Sequence, residues 1–204
     1  MTNNLVFGGN PWLIEINLSE KITDEFNKIL TIEAIESDTK ERELLDAFHY
    51  NTRMVDTENV KKLYKIFKDE CYVWFRNIDK HLPRPQKTLA CSYICTGKRY
   101  DSVWHRHTSK TTINGVYYTQ IPDDSGTLSI MDDDGMEKKF LPLEKHLYLM
   151  PGWFLHKPNP CNDPDVPRVA INLEFLCLTR PILKEENFDI KEYENFDDGA
   201  YILW

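Results

Sequence analysis

No C-x-x-C pair occurs among the five cysteines, Cys71, Cys91, Cys95, Cys161 and Cys177. Their odd number argues against a disulfide framework and suits free thiols in a reducing compartment. Cys91 and Cys95, spaced i, i+4 in a strand-like run, have poor geometry for sharing a metal ion. No apolar run approaches the length of a membrane span, and the stretch Met1 to Gly9 lacks a charged region followed by an apolar core. The chain is therefore expected to be soluble and cytoplasmic, without a membrane partner. Internal repeats and low-complexity tracts are missing as well. Positive charge is in the minority, 25 Lys+Arg against 33 Asp+Glu for a formal net charge of -8, which opposes a broad phosphate-binding surface. Nucleic acid is not an expected partner, and the oligomeric state is left open.

What is present suits a single domain over residues 1–204, large enough to bury a core without a staple. Residues 1–87 read as helical support. Between Glu58 and Ile78, Val60, Leu63, Tyr64, Phe67, Cys71, Trp74, Phe75 and Ile78 recur at three-and-four spacing, the pattern of an amphipathic helix with one buried stripe. A shorter helix is expected from Glu20 to Leu30, with Ile22, Phe26, Ile29 and Leu30 on one side, and a third from Arg42 to His49. Over residues 88–180 the texture changes to short β-rich runs: Leu89–Thr96, Thr111–Gln120, Gly126–Met131, Lys139–Leu141, His146–Met150 and Arg168–Leu178. Turn residues separate them, as in Pro122-Asp-Asp-Ser-Gly126, which points to a sandwich or barrel. Residues 181–204 form an acidic C-terminal tail with aromatic residues that could dock it on the body.

In the last long strand, Val169, Ile171, Leu173 and Phe175 share one face and Arg168, Ala170, Asn172 and Glu174 the other. The apolar face belongs under the helices. Arg168 then points into the β-structure, where a charge without a partner costs several kcal/mol. It is expected to hold a carboxylate, and that carboxylate can come from a ligand. His105 and His107 are spaced i, i+2, so on an extended segment both rings project from one face and can grip one ion. His156 supplies a third imidazole in Pro151-Gly-Trp-Phe-Leu-His156. His49, His81 and His146 lack such an arrangement and read as surface or core histidines.

Gly97-Lys-Arg-Tyr-Asp-Ser-Val-Trp-His105-Arg-His107, Asn114-Gly-Val-Tyr-Tyr118, Pro142, Pro151 to Pro160 and Arg168-Val-Ala-Ile-Asn172, taken in order, resemble the 2-oxoglutarate/Fe(II)-dependent oxygenases. The nearest branch has a His-x-His segment followed by Ser-Gly-Val-Tyr-Tyr and occurs in bacterial and phage proteins. The likeness spans residues 89–178. It implies a mostly β fold with some α, a double-stranded β-helix (jelly roll) with N-terminal helices packed on the major sheet. It also implies Fe(II) held by His105, His107 and His156, 2-oxoglutarate as co-substrate and O2 as oxidant. Arg168 would bind the far carboxylate of 2-oxoglutarate, with Tyr118, Asn172 and Asn114 also facing the co-substrate. Tyr117 and Tyr118 point to opposite faces of their strand, so only one can line a pocket, and alignment with related oxygenases favours Tyr118. Trp104 and Trp153 flank the histidines as pocket wall or as plain packing.

One departure stands out. Most members of the superfamily use His-x-Asp/Glu with a distal His, whereas the middle position here is His107. Asp101 is the one nearby carboxylate that could replace it, although it lies outside the expected spacing. The reading reached from the sequence is an Fe(II), 2-oxoglutarate-dependent dioxygenase hydroxylating an unidentified small molecule or protein side chain, with the metal centre as the catalytic group. The alternatives are a three-histidine, cupin-like dioxygenase that uses no 2-oxo acid and a non-catalytic metal-binding jelly roll.

Overall fold

The computed structural model describes residues 5–6, 13–44, 52–53, 57–78, 87–95, 104–106, 112–131, 134–152, 154–163 and 165–176. The tail from 181 lies outside them. The elements in chain order are β1 (Leu5–Val6), β2 (Ile14–Asn17), α1 (Asp24–Leu44), β3 (Thr52–Arg53), α2 (Glu58–Ile78), β4 (Lys87–Cys95), β5 (Thr112–Gln120), β6 (Leu128–Met131), β7 (Glu137–Phe140), β8 (His146–Pro151), β9 (His156–Pro158) and β10 (Arg168–Leu176).

Both helices begin where a threonine can cap them. The Thr23 hydroxyl accepts from the Phe26 amide at 3.2 Å and the Thr57 hydroxyl from the Val60 amide at 3.1 Å. Acidic residues follow in each first turn, Asp24 and Glu25 in α1 and Glu58 in α2, where the helix dipole favours them. Glu33 of α1 ties the two together, its carboxylate accepting from Thr57 Oγ1 at 2.8 Å and Asn59 Nδ2 at 2.7 Å.

The strands form two antiparallel sheets. One has seven strands in the order β1-β2-β8-β5-β10-β4-β3, the other three in the order β7-β6-β9. A bridge between His105 and His156 lays the segment around residue 105 beside β9. From β4 onward the chain alternates between sheets: β4 in the large, residue 105 beside the small, β5 in the large, β6 and β7 in the small, β8, β9 and β10 by turns.

The large sheet has an apolar layer on each face. Against the helices lie Ile113, Tyr117, Leu147, Leu149, Val169, Ile171 and Leu173, packed with Ile22, Phe26, Leu30 and Ala34 of the α1 region and with Val60, Leu63, Tyr64, Phe67 and Cys71 of α2. Gly115 makes room here, since a Cβ on it would stand 2.3 Å from the Phe67 ring. Between the sheets lie Val116, Tyr118, Tyr148, Met150 and Ala170, facing Leu128, Ile130 and Phe154.

Several expectations change. The first 87 residues are not wholly helical, because β1, β2 and β3 extend the large sheet at both edges. The third helix does not stand alone: residues 42–44 continue α1, and 45–49 lie outside the described residues. Ile29, expected in the buried stripe, is 37% exposed, while Ala34, one turn past Leu30, completes that stripe instead.

Candidate metal centre and anion clamp

The two described histidines of the expected triad are cross-strand neighbours. His105 and His156 exchange both backbone hydrogen bonds, at 3.0 and 2.9 Å, which places their side chains on one face of the small sheet. The ring centroids are 4.4 Å apart with the planes 56° from parallel. Ile130 pairs with His156 in the same register and is buried between the sheets, so that face is the inner one. His156 is 3% exposed, whereas His105 sits at the solvent side. His107, Asp101 and Trp153 lie outside the described residues, and among those described no three His, Cys, Asp or Glu side chains gather into a metal cage.

His156 is oriented as a ligand must be. Its Nδ1 lies 2.9 Å from the carbonyl oxygen of Phe154, an acceptor only, so Nδ1 carries the proton and Nε2 presents a lone pair. Fixing one imidazole nitrogen on a backbone carbonyl leaves the other basic and correctly turned for a metal. Asn114 of β5 approaches that nitrogen, with Nδ2 3.4 Å from Nε2.

Arg168 opens β10 and is 1% exposed. Nη1 donates to the Ser125 carbonyl at 2.6 Å, while Nε and Nη2 have no hydrogen-bond partner among the described residues. Those two nitrogens form one edge of the planar guanidinium, with parallel N–H bonds spaced to match the two oxygens of a carboxylate. The cation is held by a backbone carbonyl from behind and offers a two-pronged donor in front. The turn supplying that carbonyl depends on Gly126, whose φ is +71° and where a Cβ would lie 2.0 Å from the Pro160 carbonyl oxygen. Ser125 was not visible as a site residue in the sequence, since a backbone acceptor has no side-chain signature; its only trace is the glycine after it.

The other expected site residues share the inner face of the large sheet. Asn114, Val116 and Tyr118 of β5 lie on it, with Asn172 and Ala170 of β10 paired to Val116 and Tyr118, and paired residues point to the same side. Tyr118 packs edge-on to Tyr148, with centroids 5.7 Å apart. Burial, reinforced by the Glu15 carboxylate, pushes the Tyr148 phenol above its ordinary range and keeps it neutral. Tyr117 lies on the opposite face, under the helices, donating to Asn27 Oδ1 at 2.7 Å. Trp104 faces away from the histidines' side and stacks under Lys157, whose Nζ is 4.7 Å from the ring centroid. His146 is not a ligand candidate: its Nδ1 is 2.7 Å from Glu15 Oε1 of β2.

The donor set fits the expected groups. Basic imidazole nitrogens suit a divalent transition metal, and the unpartnered Arg168 edge suits a planar carboxylate. No family model and no curated protein matches the sequence. Solved structures do match in fold. A Pseudomonas putida prolyl-4-hydroxylase superposes with a TM-score of 0.60 at 13% identity, covering 82% of this chain and 89% of that one. SnoK, a non-heme alpha-ketoglutarate-dependent carbocyclase from nogalamycin biosynthesis, gives 0.59 at 9% identity over 81% and 79%. A Trichoplax adhaerens prolyl hydroxylase, in complex with a hypoxia inducible factor peptide fragment, gives 0.54 at 12% over 82% and 84%. At these identities the likeness is one of fold alone, shared with two prolyl hydroxylases and an alpha-ketoglutarate-dependent carbocyclase.

Proposed function

We propose that the protein is a non-haem Fe(II), 2-oxoglutarate-dependent dioxygenase that hydroxylates an unidentified small molecule or protein side chain in the cytoplasm. The observation that carries this reading is the buried Arg168 edge, set on the same inner layer as Asn114 and Tyr118 and across the core from the His105–His156 pair. The alternation of strands between two antiparallel sheets supports a double-stranded β-helix with the helices on its major sheet.

In this reading His105, His107 and His156 hold Fe(II). Arg168 takes the far carboxylate of 2-oxoglutarate on its Nε/Nη2 edge, and Tyr118, Asn172 and Asn114 line the co-substrate's path. With O2, the bound iron and 2-oxoglutarate supply oxidative decarboxylation to succinate and CO2 coupled to substrate hydroxylation. The chain's own contribution is placement and exclusion of water. Leu128, Ile130, Met150 and Phe154 wall the interior, so the Arg168 contact forms in a low-dielectric setting where a charge-assisted pair is strong. The exposed side of His105 marks the approach for substrate.

His107 at the usual carboxylate position favours one rival, a three-histidine dioxygenase that binds no 2-oxo acid. Anaerobic addition of Fe(II) and then 2-oxoglutarate separates the two. A weak visible charge-transfer band should grow with 2-oxoglutarate; iron binding without that band would favour the rival.

A further inference from the structure

Tyr148 carries a hydroxyl into the apolar layer between the sheets, where it is buried. Its ring is held at both ends. Tyr148 pairs with Val116 of β5 and so lies diagonal to Tyr118, whose ring it meets edge-on, with centroids 5.7 Å apart and planes at 83°. At the other end the hydroxyl donates to Glu15 Oε1 at 3.1 Å and accepts from the Leu143 amide at 3.0 Å. Burial, with the Glu15 carboxylate beside it, keeps the phenol protonated, which fixes the direction of the Glu15 bond. That single proton is committed, and Tyr148 has none to give a ligand.

Glu15 is placed by the alternation of β2. Ile14 and Ile16 pack beneath the helices, so Glu15 turns to the opposite face, paired with Tyr148 of β8. The carboxylate is largely shielded from solvent and also accepts from His146 Nδ1 at 2.7 Å. If this wall needed only filling, an apolar side chain would serve at less cost, as Leu13 does two residues earlier on the same face. Apolar packing fixes volume, whereas two hydrogen bonds at the hydroxyl fix where the ring stands. We infer that Glu15 and Tyr148 are positioning residues for the co-substrate: they hold Tyr118 at the Arg168 end of the pocket, acting through its ring and not by touching the oxo acid. Tyr118 pairs with Ala170, two residues from Arg168 on one face of β10, so a tilt of the Tyr118 ring is felt beside the guanidinium. This rests on the 2-oxoglutarate reading above and carries the site outward to β2.

The test measures three quantities in the full chain under anaerobic conditions: Fe(II) affinity, 2-oxoglutarate affinity of the Fe(II)-loaded protein, and melting temperature. Tyr148→Phe keeps the ring and removes both bonds at the hydroxyl. It should need about three- to ten-fold more 2-oxoglutarate, the loss typical of a hydrogen bond, with Fe(II) affinity unchanged. Glu15→Leu should reproduce that loss from the other side of the bond, and Glu15→Gln, which keeps an acceptor oxygen, should recover most of it. The decisive comparison is the double variant. In a Tyr118→Phe background, Tyr148→Phe should cost little or no further 2-oxoglutarate affinity, because the hydroxyl it positions is already gone. A merely structural role would lower the melting temperature of Tyr148→Phe and leave 2-oxoglutarate affinity alone. That result, parent-like 2-oxoglutarate affinity in Glu15→Leu, or equal losses with and without the Tyr118 hydroxyl, would overturn the inference while leaving the oxygenase reading intact. Failure of the parent protein to bind 2-oxoglutarate at all would overturn both.

Discussion

Arg168 shows what one side chain says when its partners are counted. Three nitrogens are buried, one is spoken for by Ser125, and the other two lie along a single edge. A lysine there would keep the charge and lose the edge, since an ammonium is a point donor. Arg168→Lys is therefore expected to weaken 2-oxoglutarate binding about 30-fold or more, in line with about 2 kcal/mol or more for a truncated buried charge pair, with iron affinity nearly unchanged. Equal co-substrate affinity in the lysine variant would remove the two-pronged contact. Gly126 acts through that arginine by fixing the turn. Gly126→Ala places a Cβ 2.0 Å from the Pro160 oxygen and should lower both the melting temperature and 2-oxoglutarate affinity. Gly135 is the control: its φ is +75° but nothing lies within 4 Å of an added Cβ, so Gly135→Ala should cost only about 1–2 kcal/mol of backbone strain and leave co-substrate affinity alone. The burial of Arg168 on the inner face was legible in the sequence from the alternation of its strand. The backbone acceptors, Ser125 and Phe154, were not, because any residue can supply a carbonyl.

The adjacent tyrosines of β5 divide the labour of the large sheet. Tyr117 bonds to Asn27 of α1 beneath the helices, and Tyr118 stands in the layer between the sheets. Tyr117→Phe should cost about 1–3 kcal/mol in urea unfolding, because Asn27 loses a buried donor, with little change in 2-oxoglutarate affinity. Tyr118→Phe should show the reverse balance. The same reversal in the other direction would mean the faces had been misassigned. Burial first, and then the Glu144 carboxylate, raise the Tyr117 phenol above its ordinary pKa of 10.0. A raised folded pKa stabilises the fold below the unfolded value, and that contribution is lost as the pH climbs past about 10. Among elements, α2 and the long strands were legible because their periods repeat over many residues. The three residues of β9 and the two of β1 and β3 are too short to show a period. Ile29 misled for a related reason. The stripe Ile22, Phe26, Leu30, Ala34 advances by four each time and leaves Ile29 on the flank, a choice fixed by the sheet beneath and not by the helix itself.

At the scale of the molecule, the fold is a helix-backed large sheet facing a small one, with an apolar layer on either side of the large sheet. No described helix is long and apolar enough to cross a membrane. The outer face of the small sheet is knit by charge: Ser129 Oγ donates to Glu137 at 2.7 Å, and Lys157 lies 3.6 Å from the same carboxylate. The Ser129 hydroxyl, with help from Lys139 and Lys157, holds the Glu137 carboxyl below its ordinary 4.5. A depressed folded pKa gives stability that is complete above the unfolded value and lost as the pH falls through the folded one. Ser129→Ala should therefore destabilise the protein at neutral pH, with the gap from the parent narrowing below about 4.5. A gap constant across that range would count against the linkage. The two-sheet plan was legible from the run of short strands and turns. The N-terminal strands were not, because their place at the sheet edges is set by β8 and β4, far away in sequence.

In the proposed reading, His105 and His156 turn toward one metal while Arg168 waits on a carboxylate across the core. Anomalous diffraction at the iron edge, from crystals grown anaerobically with Fe(II) and 2-oxoglutarate, tests it in one experiment. The expected map has an iron peak bonded to Nε2 of His156 and to the His105 ring, with a ligand carboxylate on the Nε/Nη2 edge of Arg168. Iron bound elsewhere, or a carboxylate of the protein itself on that edge, would contradict it.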